Sequence, residues 1–258
     1  MVSVFCVGLG EFFTFSAMVL MILSNIGQLT ENMVSRSFRY VSINTQDFEQ
    51  SIRSIANQNN IAVNGIFASD QNSPELAGNG LKYNYEWGLY NFCAGQSQGS
   101  STRSCSDKSF VYEFDPIKVL QQDINQQLQP YVSQALPATT LRDSSYLGSF
   151  TKAANILAFI GTVVVGLSFL VAFLAHRFAF LLAALLALLA AGCLAVAAAI
   201  WTAIVYKVRK SVADLGSNPG VDIEYGNIIW MTWASFGAAA LSVIPLLIAC
   251  VSGRRSKY

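Results

Sequence analysis

Charge is scarce in this sequence: Asp, Glu, Lys and Arg make up 12% of its 258 residues, against 53% hydrophobic residues. Soluble domains carry about 25% charged residues. A chain with half that share and a mean hydropathy of +0.43 cannot cover its surface in water, which excludes an ordinary soluble globule. Neither sign of charge is in excess. Lys and Arg number 16 and Asp and Glu 15, for a net charge of +1, so the basic footprint of a nucleic-acid binder is missing and no nucleic-acid partner is expected. Histidine occurs once, as His176. One imidazole without a cluster of companions leaves no ligand set for a metal, and the H-E-x-x-H and P-loop patterns are absent. No catalytic residue, metal or cofactor is expected, and the chain reads as non-enzymatic. N-x-[ST] sequons are lacking too, since Asn91-Phe92-Cys93 is only the rare cysteine form.

What the sequence does have is four long apolar runs, at 2–26, 153–174, 178–206 and 228–251. Each exceeds the roughly 20 residues needed to cross a hydrocarbon core of about 30 Å. The expected organisation is a first span (1–26), a large loop (27–152), a second span (153–174), a short turn (175–177), a third span (178–206), a second loop (207–227), a fourth span (228–251) and a tail (252–258). The first run has no basic n-region and no A-x-A site after it, so it reads as an uncleaved anchor. Arg254, Arg255 and Lys257 place the tail, and with it both termini, in the cytoplasm. Lys207, Arg209 and Lys210 point the other way by the same rule.

The large loop has the patterning of a folded domain and holds 11 of the acids and 9 of the basic residues. Phe48, Ile52, Ile55 and Ala56 recur at helical spacing, which predicts a helix over 45–57. The stretches 62–68 and 81–92 are β-prone and are separated by turn signals at Ser73-Pro74 and Gly78-Asn79-Gly80. Alternation over 108–114 predicts a further strand, on which Glu113 and Asp115 form a solvated face. Asp115-Pro116 then starts a helix, with Ile117, Leu120, Ile124, Leu128 and Tyr131 on one face and an end near Pro137. The expected fold class is therefore membrane α-helical: a four-transmembrane-helix bundle with a small disulfide-bonded α/β extracellular domain.

Of five cysteines, Cys6, Cys193 and Cys250 fall in the apolar runs and read as packing residues, with palmitoylation at Cys250 the lesser alternative. Cys93 and Cys105 stand alone in the large loop, and in an oxidising compartment such a pair is expected to form a disulfide. Closing a loop of about a dozen residues contributes roughly 3 kcal/mol in the chain-entropy model. This pair is what places the loop outside the cell despite the cationic cluster at 207–210.

Directly before the first loop cysteine stands Trp87-Gly88-Leu89-Tyr90-Asn91-Phe92-Cys93. The pattern W-G-L-aromatic-x-x-C followed by a second cysteine resembles the claudin signature. Together with the run from Cys105 to Pro116 (CSDKSFVYEFDP), the long first loop and the very short intracellular turn, it resembles the fungal Sur-seven/PalI family. That resemblance implies a claudin-like architecture with Trp87, Gly88, Leu89, Cys93 and Cys105 as its structural signature. It also implies a multi-pass plasma-membrane protein of eisosome or cortical-patch domains, or an accessory component of ambient-pH signalling. Partners would be membrane lipids, other plasma-membrane proteins and further copies in a homo-oligomer. The seven-residue tail is shorter than in many members, which argues against tail-borne roles, and Tyr90 replaces the claudin tryptophan, which argues against a paracellular junction.

Within the spans, alanine recurs at every fourth residue from Ala179 through Ala183, Ala187, Ala191, Ala195 and Ala199 to Ala203. Rows of small residues let membrane helices approach closely, so Ala183 to Ala199 are expected to form a packing seam, echoed by Ala234, Ala238 and Ser242. Glu11 is the one acid within a span, roughly 15 Å from the helix start. It reads either as an ion or proton relay or, with no second intramembrane charge, as a carboxyl hydrogen-bonded to a group such as Thr162 or Ser168. Pro245 is expected to kink the fourth span.

Overall fold

The computed structural model describes residues 2–30, 32–61, 63, 65–73, 76, 78–110, 112–136, 144–174, 176–215 and 219–252. The basic residues of the tail, Ala175 of the short turn, and Pro74 and Pro137 lie outside these. In chain order the elements are α1 (Val2–Ile26), α2 (Met33–Ser37), β1 (Val41–Asn44), α3 (Phe48–Gln58), β2 (Asn84–Trp87), β3 (Phe92–Gly95), β4 (Arg103–Cys105), α4 (Pro116–Asp123), α5 (Gln129–Ala135), α6 (Ser144–Ala172), α7 (Arg177–Ala213), β5 (Asp222–Tyr225) and α8 (Asn227–Ser252). Contacts divide the chain into two units. One comprises Met1–Asn25, Ala153–Ile200 and Ile228–Tyr258, the other Ile26–Lys152 and Trp201–Asn227.

The first unit is built on four helices long and apolar enough to cross a membrane among the described residues: Phe5–Ile26, Ser145–Ala172, Phe178–Ala213 and Asn227–Val251. A bilayer gives apolar side chains little reason to leave lipid, so the contacts use small residues. Ala183 and Ala184 of α7 pack with Ala172 of α6 and with Leu246 and Ala249 of α8. Further along, Ala190 and Ala191 meet Ala17 of α1, Val165 of α6 and Ala239 of α8. Polar groups also tie helix to helix. The Ser168 hydroxyl donates to the Ala183 carbonyl at 2.8 Å, Ser235 donates to the Ala17 carbonyl at 3.3 Å, and the Asn25 amide donates to the Thr162 hydroxyl at 2.9 Å. Pro245 lies inside α8.

The second unit centres on an antiparallel sheet of order β4-β3-β2-β1-β5. Its last strand comes from the second loop: β5 pairs with β1, with Val41 opposite Tyr225 and Ile43 opposite Ile223. Register separates the faces. Val41, Ile43, Tyr85, Trp87, Phe92, Ala94 and Ile223 share one, and Ser42, Glu86, Cys93, Cys105 and Glu224 fall in a single row on the other. The apolar face is filled by rings. Trp87 meets Phe114 edge to face at 5.2 Å, Phe114 meets Trp201 at 5.9 Å, and Trp201 stacks on Tyr40 at 4.4 Å. Gly226 closes the end of β5 where a Cβ would stand 1.9 Å from the Arg39 carbonyl oxygen.

Several expectations need correction. The segment 108–114 forms no strand among its described residues; its aromatics are used singly, with Phe114 against Trp87, Tyr112 beside Phe92 and Phe110 on Tyr90. Described residues of 62–68 contribute an isolated bridge, Phe67 to Leu81, in place of a strand. The helix expected from Pro116 onward is two, because Pro130 opens a new helix in the first turn of α5. Asp115 does cap α4, accepting from the Lys118 amide at 3.1 Å. Helix α7 continues to Ala213, past the end of its apolar run.

Trp201 is buried between Tyr40 and Phe114. Trp201→Ala is expected to destabilise the protein by about 3–5 kcal/mol, as large-to-small changes in cores do. Thermal unfolding in detergent followed by near-ultraviolet circular dichroism checks this, and an unshifted transition would remove Trp201 from the core.

Candidate functional site

The candidate site is the cysteine-bound part of the sheet with the polar groups on its second face. It starts from the turn after α1. Gln28 adopts a positive φ of 61° and brings its backbone against the β2–β3 hairpin. The Asn91 amide donates to the Gln28 carbonyl at 2.9 Å, and the Gly88 N–H donates to the Asn91 carbonyl at 2.9 Å. Glycine is required at 88 because a Cβ would lie 2.7 Å from the Gly27 carbonyl oxygen and 2.8 Å from the Gln28 Cβ. Trp87 and Leu89 are both buried. The W-G-L signature therefore works as a joint: Trp87 enters the aromatic core, Gly88 admits the chain leaving α1, and Leu89 closes the hairpin.

Cys93 and Cys105 form a disulfide. They are direct register partners on β3 and β4, so the bridge fixes the outermost pair of strands on the side away from β5. Cys93 is buried and Cys105 exposed.

Beside Cys93 in the same row lies Glu86, whose side chain is 3% exposed. Its carboxylate is surrounded by donors. Arg39 Nη1 stands 3.3 Å and Arg103 Nη1 3.6 Å away, the Gly99 N–H donates at 2.9 Å, and Gln28 Nε2 donates at 3.4 Å. Arg103 also donates to Gln28 Oε1, and at 3.1 Å to the Thr30 carbonyl. The network extends outward through Gln98, which accepts from Arg39 at 2.7 Å and donates to Ser42 at 3.2 Å and to Glu224 at 2.6 Å. Burial pushes the Glu86 carboxyl above the usual carboxylate value, against the opposing pull of Arg39, the Gly99 amide, Arg103 and Gln28. On the opposite face the Tyr85 hydroxyl donates to Asp123 at 2.6 Å, and burial, reinforced by the Asp123 charge, holds that phenol well above its normal value. Partial burial likewise raises Asp115, opposed by the Lys118 amide that it caps.

The remaining sequence candidates fall elsewhere. Ala183, Ala187 and Ala191 are buried, Ala195 is half-buried and Ala199 is exposed. Steps of four residues overshoot one helical turn by about 40°, so the row rotates by about 160° between Ala183 and Ala199. The buried face passes instead to Leu194, Ala197, Ala198 and Trp201. Glu11 is half-buried and its carboxylate has no partner among the described residues, while Thr162 and Ser168 bond to Asn25 and Ala183. Among the described residues no group of His, Cys, Asp and Glu is placed to hold a metal ion.

Sequence reasoning missed the Glu86 cluster, because its partners are scattered over residues 28, 39, 98–99 and 103. It also passed over Gly95-Gln96-Ser97-Gln98-Gly99, which spells the G-x-S-x-G of a nucleophile elbow. That motif needs a strand-to-helix turn, whereas here the five residues run from the end of β3 toward β4. The chain's one histidine belongs to the other unit.

Two outcomes are expected. Gly88→Ala should cost about 2 kcal/mol or more, lowering the melting temperature by about 4–8 °C for a chain of this size; an unchanged melting temperature would show that the Gly27–Gln28 turn yields freely. Glu86 has a folded-state pKa raised above its ordinary 4.5, so its favourable contribution is complete below that value and is lost as pH rises through the folded pKa. Melting temperature in detergent should accordingly fall from about pH 4.5 toward neutrality, and Glu86→Gln should flatten the decline. A decline of equal slope in Glu86→Gln would assign it to other groups.

Comparison with curated proteins finds no match. A sequence profile described as the SUR7/PalI family matches residues 6–244, from the first apolar helix into the fourth. With four membrane-spanning helices, a small antiparallel sheet and the Cys93–Cys105 disulfide in place, the chain belongs to the SUR7/PalI family of multi-pass membrane proteins.

Proposed function

We propose that this protein is a non-enzymatic, claudin-like organiser of a fungal plasma-membrane domain of the eisosome or cortical-patch kind. In that role it supports membrane and cell-wall integrity, alone or as an accessory subunit of another membrane protein. The observation that carries the proposal is the family match across residues 6–244. In this role both termini lie in the cytoplasm and the sheet outside, a placement supported by the Cys93–Cys105 disulfide, a bond of oxidising compartments. The mechanism is mechanical. The disulfide and the Glu86 cluster hold the outer sheet in one shape that a neighbouring protein can read, and the apolar helices contact lipid and other spans.

The double variant Cys93→Ser, Cys105→Ser tests this through fluorescence microscopy of the tagged protein in its own cells. Patches are expected to lose most of the variant, and its melting temperature in detergent to fall. Wild-type patches together with wild-type heat resistance would sink the proposal. Deletion is expected to change patch morphology; alkaline sensitivity with unchanged patches would reassign the protein to ambient-pH signalling. Glu11→Gln should leave localisation intact, and loss of a measurable flux in proteoliposomes would point instead to a channel or carrier.

A further inference from the structure

Among the described residues of 27–136, the large apolar side chains left exposed are Met33, Val34 and Phe110, and Phe110 is stacked on Tyr90. Met33 is 79% and Val34 52% exposed, and both lie on α2. A pair of bare apolar residues on one turn of helix has an explanation in where α2 is held.

The Ser35 hydroxyl donates to the carbonyl of Ile26, the last residue of α1, at 2.6 Å. The Thr30 N–H donates to the Ser35 hydroxyl at 3.1 Å and the Gln28 N–H to the Ser35 carbonyl at 2.9 Å. At the other end, the Asn227 amide donates to the Ser37 carbonyl at 2.7 Å, and its oxygen accepts from the Arg39 N–H at 3.1 Å. Asn227 is the first residue of α8. Thus α2 is fastened both to the exit of the first span and to the entrance of the fourth, the two levels at which apolar sequence stops. The headgroup layer extends about 5–7 Å beyond the hydrocarbon on each side, comparable with the roughly 5–6 Å radius of a helix with its side chains. A helix bonded to both span ends has the right radius to fit within that layer. Ser35 faces the protein and is 2% exposed, so Met33 and Val34 face away from it.

On the same helix Arg36 is half-buried, with its Nε unpartnered and no carboxylate paired with its guanidinium among the described residues. A guanidinium at headgroup depth matches the geometry of a lipid phosphate. We propose that α2 is an interfacial anchor that seats Met33 and Val34 in the ectodomain-side leaflet and binds a phospholipid headgroup through Arg36. The occupant is lipid of the protein's own membrane. It would fix the height of the sheet above the bilayer as an interfacial amphipathic segment does.

The test uses the full chain in nanodiscs, with Cys6, Cys193 and Cys250 replaced by alanine and the Cys93–Cys105 bridge intact. An environment-sensitive dye is placed on Met33→Cys or, as a water-exposed reference, on Ser101→Cys. Lipids carrying a nitroxide near the head of the acyl chain should quench the dye at 33, and iodide should quench it about threefold less than at 101, as burial at the headgroup boundary requires. Equal iodide access at both positions without lipid quenching overturns the proposal. So does shielding from both quenchers with self-quenching between labelled chains, which would give the face to a second copy. For the headgroup, replacing phospholipid by a phosphate-free glycolipid should raise iodide access at 33 in the otherwise native chain and leave it unchanged in Arg36→Gln; an identical response in both removes Arg36 from the site.

Discussion

A carboxylate buried among four donors is the constraint on which the sheet domain depends. Taking Glu86 out of water costs several kcal/mol, and the donors around it offset part of that cost, burial still holding its carboxyl above the usual value. The satisfaction comes from Gln28 after the first span, Arg39 before β1, Arg103 on β4 and the amide of Gly99. Each donor belongs to a different stretch of chain, so the ion is satisfied only when all four stretches are in place. Fixing the register of chain segments is the best-attested use of buried ionic groups. The disulfide next to it in the same row holds β3 to β4, and the rings on the opposite face hold the sheet to its core.

The parts legible in the sequence were those with a signal longer than the noise. Four spans stand out because a run of about 20 apolar residues has few other uses in proteins. Cys93 and Cys105 were legible for lack of competitors, and Asp115-Pro116 because a capping acid and a proline coincide. The edge of the sheet was hidden. Strands β1 and β5 are four residues each, too short for alternation to rise above chance, and β5 lies in what reads as a plain connection. The 108–114 segment failed for the opposite reason: its aromatics alternate as a strand's do, yet Phe110, Tyr112 and Phe114 each plug a separate ring contact. Pro130, which opens α5, sits inside a hydrophobic period that runs through it and so reads as one helix. The Glu86 cluster carries no local pattern, since one glutamate in an aromatic run looks the same whether solvated or paired.

The third helix explains why the charge rule gave divided counsel. Lys207, Arg209 and Lys210 follow the apolar run without leaving the helix, which continues to Ala213. Residues Trp201–Asn227 belong to the unit that holds the sheet, where Lys207 donates to the Tyr146 hydroxyl at 2.7 Å and lies over its ring. The positive-inside bias weighs short loops beside spans. Here the cations are surface residues of a folded domain that happens to begin within the same helix.

The pairing of β1 with β5 also sets an order of events during synthesis. The disulfide hairpin is complete once residue 105 has emerged, but β1, at Val41–Asn44, keeps one bare edge until Asp222–Tyr225 has been made. From residue 105 to residue 225, at about 5–20 residues per second, that interval is roughly six to twenty-four seconds. Throughout it the nascent domain presents an unpaired edge, the surface most prone to wrong partners. It closes only after the long helix α7, Arg177–Ala213, has been made.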